Sequence, residues 1–162
     1  MYSWVVFLHM VSVFGFLTTH GASVMASLRL RKERNLERVR ALLDLSSYTF
    51  NTMYSFFGLL MLSGIVAGFM KHWWGKGWIW AALGLLVAMT AAMYALASPY
   101  YSRLRKTAGL PYFQGMRGRP AEPSGSQEDL ARLLASSRPL LIAGIGVVGL
   151  VVILWLMMFK PF

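Results

Sequence analysis

Four long apolar runs divide the chain, each bounded by charges, aromatic clusters or helix-breaking residues. The first 28 residues carry no charged side chain, and the basic run Arg29-Leu-Arg-Lys-Glu-Arg34 follows at once. A helix crossing ~30 Å of hydrocarbon needs about 20 apolar residues. The pattern therefore predicts spans at 4–28, 50–70, 78–98 and 140–159. Between the first two, Leu36, Val39 and Leu43 recur at helical spacing among charges. That spacing predicts a short amphipathic helix, lying on the membrane or prolonging span 1. Pro99 is expected to end the third helix. Residues 107–128, punctuated by Gly109, Pro111, Gly115, Gly118, Pro120, Pro123 and Gly125, are expected to hold no regular element. Ser126 is placed to cap a short helix over 127–136, and Pro139 to open the last span.

These elements make an all-α fold, a polytopic four-helix membrane bundle forming one domain over 1–162. Composition agrees: 57% of residues are hydrophobic and only 14% charged, and the mean hydropathy is +0.53. The first run lacks a basic leader and is long, so it reads as a retained span rather than a cleaved signal peptide.

The net charge of +10 would point to nucleic acid in a soluble protein. Its distribution says otherwise. Loop 29–49 holds Arg29, Arg31, Lys32, Arg34, Arg38 and Arg40; loop 99–139 holds Arg103, Arg105, Lys106, Arg117, Arg119, Arg132 and Arg138. The opposite side carries only Lys71, Lys76 and Lys160. The positive-inside rule then places both loops in the cytoplasm of a bacterial inner-membrane protein, with both termini outside. Anionic lipid headgroups account for the charge without a nucleic acid.

Small residues mark expected helix contacts: Gly64 and Gly68 in span 2, Gly84, Ala88 and Ala92 in span 3, and Gly144, Gly146 and Gly149 in span 4. Such faces also suit a homo-oligomer or a larger membrane complex. Residues 71–80, with Trp73, Trp74, Trp78 and Trp80, read as an interfacial aromatic belt.

The six acids, Glu33, Glu37, Asp44, Glu122, Glu128 and Asp129, all lie in the basic loops. A cation pump, a proton relay or a two-carboxylate hydrolase places a carboxylate within a span. Those classes are disfavoured, and no catalytic residue is assigned. The absence of cysteine excludes disulfides and thiolate chemistry.

The histidines carry the remaining chemistry. His9 and His20 are 11 residues apart, so on one helix they share a face to within ~20°, about 16 Å apart along the axis. Ser12, Ser23 and Ser27 fall near the same stripe. Three readings are open: hydrogen bonds to serines or carbonyls of neighbouring helices, haem-iron ligation, or a metal ion. For His20 the facing spans offer Met61, Met89 or Met93 as an opposite ligand. His72, among tryptophans just past span 2, is a weaker ligand candidate. The eleven methionines suit Cu(I) but are scattered.

The opening Tyr2-Ser-Trp4-Val-Val-Phe-Leu-His9 resembles the start of HemJ-type protoporphyrinogen oxidases, with the same Trp–His spacing on the first span. Leu8-His9, the basic loop, Ser63-Gly64 and Gly77-Trp78 are similar to a family of bacterial integral membrane proteins related to HemJ and to CopD-like copper-resistance proteins. The resemblance covers roughly residues 1–113. It implies b-type haem or copper handling, with His9 as the one ligand carried over. Val6 stands where HemJ proteins have a lysine, and Trp80 and Ala82 stand where they have a histidine and a lysine. The expected function is a small haem-binding redox or accessory subunit. The alternatives are a non-catalytic structural subunit and copper handling.

Overall fold

Asn35 sets the boundary between the first two helices. In the computed structural model, which describes residues 1–115 and 117–162, α1 (Tyr2–Leu30) gives way to a tight turn and α2 (Leu36–Met70) begins at once. The Asn35 Oδ1 accepts hydrogen bonds from the Glu37 and Arg38 amides at 2.9 and 3.2 Å. The Glu33 carboxylate accepts those of Arg34 and Asn35. Two capped turns thus consume the amides that a continuous helix would have used. The amphipathic stretch after the turn accordingly prolongs span 2, not span 1.

A 3-10 turn at Trp73–Gly75 leads into α3 (Gly77–Thr107). Pro99 lies inside α3 and does not end it; the helix runs two more turns and stops at Ala108 and Gly109, the latter at φ 75°. One missing amide is tolerated when the surrounding turns are otherwise bonded. Residues 107–128 are also more ordered than their glycines and prolines suggest. Tyr112–Gln114 (β1) and Arg117–Arg119 (β2) pair antiparallel, with Tyr112 opposite Arg119. Gly115 supplies the positive φ of 64° at the turn. Helix α4 (Gln127–Leu134) starts where Ser126 Oγ accepts the Asp129 amide, and α5 (Arg138–Phe159) carries Pro139 in its first turn.

Among the described residues, four helices are long and apolar enough to cross a membrane. Helix α1 packs along α2, and α3 along α5; the two pairs meet chiefly between α1 and α5. Bulky apolar side chains point outward, with Trp4 at 74% and Phe14 at 65% exposure, as suits lipid rather than water. The best-buried cluster lies elsewhere. Leu30, Val39, Leu43, Tyr100, Leu104, Ala108, Leu130 and Leu134 form one core at the basic end, every one outside the four apolar runs. Arg105 ties this end together, donating to the carbonyls of Pro111 (2.6 Å) and Leu43 (3.1 Å), to Ser47 Oγ (2.8 Å) and to Asp44 Oδ1 (3.0 Å).

Glycine positions sort into two kinds. Gly146 and Gly149 are buried against side chains of other helices, whereas Gly84 and Gly144 face open space and Ala88 is exposed. The contact edge of α3 therefore runs through Trp78, Ala82 and Met89, not Gly84 and Ala88.

Candidate functional site

The polar residues of α1 do share one inward stripe, but different neighbours meet it along its length. Ser12 is fully buried and returns its hydroxyl proton to the Leu8 carbonyl at 2.7 Å. Ser23 and Ser46 approach to 3.4 Å, and Ser27 accepts the Tyr101 hydroxyl at 2.7 Å. These bonds satisfy polar groups that hydrocarbon would penalise.

His9 faces α2. Its Nδ1 lies 3.1 Å from the Leu60 carbonyl oxygen and 3.1 Å from Ser63 Oγ. The carbonyl can only accept, and Ser63 gives its own proton to the Leu59 carbonyl at 2.6 Å. Nδ1 therefore bears the hydrogen, and Nε2 keeps its lone pair. Gly64 makes the approach possible, since a Cβ there would stand 3.1 Å from His9 Cε1. This is the hydrogen-bonded arrangement considered from the sequence, and it is also how proteins orient an imidazole that ligates through Nε2.

His20 faces α5 instead. The ring stacks on Phe16, with centroids 5.8 Å apart and planes 9° off parallel. It is nine-tenths buried, and its Nε2 has no hydrogen-bond partner among the described residues. A Cβ on Gly146 would stand 2.9 Å from Nε2 and 3.4 Å from the Met93 methyl. One turn on, the Met89 sulfur presses on Gly149 in the same way. Met89 and Met93, two of the three methionines named from the sequence, thus line the α3–α5 seam near His20. A haem plane does not fit between Nε2 and α5, because α5 backbone already occupies that space. At His9 the donor set fits better, with a lone pair free on an oriented ring.

His72 is exposed at φ 53°, leading the 3-10 turn, and Met61 is half-buried on α2. Among the described residues no three His, Cys, Asp or Glu side chains gather in metal-binding geometry. Gly68 lies beneath Trp74 and Ile79, 3.2 and 3.5 Å from its would-be Cβ. At this end Lys71 stacks on Tyr2 (4.6 Å) and Lys160 on Trp73 (4.4 Å). These cation–π contacts hold the aromatic belt to both chain ends.

Compared with protein-family models, characterised proteins and solved structures, the chain matches none.

Proposed function

We propose that this chain is a multi-pass protein of the bacterial inner membrane, with its basic loops in the cytoplasm and both ends outside. In this reading it holds a b-type haem through His9 Nε2 and acts as a redox or accessory subunit. One observation supports the ligand assignment: the Nδ1–H of His9 is held on the Leu60 carbonyl and Ser63, which leaves Nε2 unprotonated with its lone pair. Such an iron centre would supply one-electron transfer; the chain's part is to orient the imidazole and exclude water. A second reading, a non-catalytic subunit of a larger assembly, draws support from the uncovered small residues Gly84, Ala88 and Gly144.

An absorption spectrum separates the two. Purified protein with a Soret band that His9→Ala abolishes and His20→Ala leaves in place supports haem at His9. A band surviving His9→Ala unchanged refutes that ligand, and a colourless protein that still co-purifies with partners favours the scaffold. For orientation, phosphatase fusions should be inactive at residue 120 and active after Phe162.

A further inference from the structure

Most arginines at the basic end are committed to the fold. Arg31 donates to the Ser136 carbonyl, Arg40 to that of Ala108, Arg105 to four acceptors, and Arg132 pairs with Glu128 and Asp129. Five guanidiniums, those of Arg29, Arg38, Arg103, Arg117 and Arg138, have no hydrogen-bond or ion-pair partner among the described residues. Of these, Arg29 and Arg38 are exposed and line one groove. They converge from two helices on a groove of about 380 Å³, lined also by Glu33, Ala41, Leu42 and Leu45. Arg38, Ala41, Leu42 and Leu45 are spaced as one face of α2, charge first and apolar side chains after it. Met25, one turn before Arg29 on α1, is 67% exposed. The groove thus turns from cationic to apolar where the first apolar run ends, as the boundary between headgroups and acyl chains does.

We infer that this groove is a discrete binding site for one anionic glycerophospholipid. The phosphodiester would sit between the Arg29 and Arg38 guanidiniums, and an acyl chain would run past Ala41, Leu42 and Leu45 along the α1–α2 seam. Glu33, whose carboxylate is occupied by the backbone amides of Arg34 and Asn35, leaves a net charge of one on the site. That matches a headgroup with a single negative charge and disfavours a polyanion. The inference rests on the membrane-spanning fold alone and stands whether or not His9 binds haem.

The test uses the intact protein in mild detergent, read by native mass spectrometry and thermal shift. Dioleoyl phosphatidylglycerol should bind and raise the Tm, and dioleoyl phosphatidylcholine should not. R29Q/R38Q should weaken phosphatidylglycerol binding about thirtyfold, from the roughly fivefold that each basic residue contributes at an anionic surface. R103Q/R117Q, with the same change in charge, should stay within about twofold. Ala41→Trp fills the groove while keeping both arginines and should abolish binding, which guards against misfolding of the double variant. Equal binding of the two lipids, or equal loss in both double variants, overturns the site. Equal protection by soluble glycerol 3-phosphate would show a free-anion site and overturn the lipid.

Discussion

The His20 imidazole rests on Gly146: Nε2 stands 2.9 Å from the position that a Cβ would take. Phe16 stacks on the face of the ring, so the imidazole can make room only by giving up that stack. Gly146→Ala should therefore separate α1 from α5 at a cost of ~1–3 kcal/mol, the usual range for overpacking. His20→Ala removes the obstructing ring, and in the double variant most of that loss should return. Thermal unfolding of the four proteins of the cycle measures the coupling; additive effects would contradict the contact.

Gly68 poses a related question at the opposite end. A leucine there must displace the Trp74 ring and the end of Ile79, both within 3.5 Å of the new Cβ. Gly68→Leu should lower stability by ~1–3 kcal/mol and alter tryptophan emission. A position facing lipid would accept leucine without either change.

Arg105 should be the most consequential arginine. Its side chain is 16% exposed and serves four acceptors, three on α2 and one in the segment that follows α3. Arg105→Gln is expected to cost about 2 kcal/mol, within the range for hydrogen bonds to charged groups, and Arg105→Lys should recover little because a point charge lacks the planar fork. Arg103→Gln is the control. Proteolysis of the 99–139 loop and chemical denaturation both report the difference.

The attachment of the β-hairpin should depend on pH. Tyr112 donates to Glu122 Oε1 at 2.5 Å, and Lys106 lies 3.3 Å from Oε2. These partners hold the Glu122 carboxyl below its ordinary 4.5 and the Lys106 ammonium above its ordinary 10.5. A depressed carboxyl stabilises the folded arrangement above its unfolded value, and the contribution is lost as pH falls through the lower folded one. A raised lysine contributes below its unfolded value and loses that as pH rises through the folded one. Amide protection around residue 112, taken relative to the intrinsic exchange rate at each pH, should thus hold between about pH 5 and 10 and fall beyond either end, with Glu122→Gln removing the acid limb.

The spans were legible because twenty apolar residues in hydrocarbon have few alternatives to a helix. Helix ends were harder. Whether 36–43 belonged to α1 or α2 turned on which amides the Glu33 and Asn35 side chains capture, a matter of a few ångströms that periodicity does not record. At Pro99 and in the hairpin, local residue preference is outweighed by side-chain anchors: Tyr100 on the Leu133 carbonyl and Tyr101 on Ser27 beside the proline, and Tyr112 on Glu122 at the hairpin. At the histidines, rotation put both rings on one stripe, but only packing could show that His9 meets α2 and His20 meets α5. Ser63 as a partner for His9 was within reach, since it immediately precedes Gly64 and a hydroxyl is among the few groups available to an imidazole inside a span.

The core of Leu30, Val39, Leu43, Tyr100, Leu104, Ala108, Leu130 and Leu134 sits beyond the apolar runs, and this divides the molecule by the solvent that acts on it. Apolar burial is a driving force only where water is the competitor; between helices in lipid the attraction is direct contact. Urea and cold weaken the first kind of cohesion and leave the second nearly intact. On chilling, or in moderate urea, α4 and the ends of α1, α2 and α3 should loosen while the spans stay paired, whereas harsh detergent should separate the spans and spare the basic end. Two denaturants would thus take one small protein apart from opposite ends.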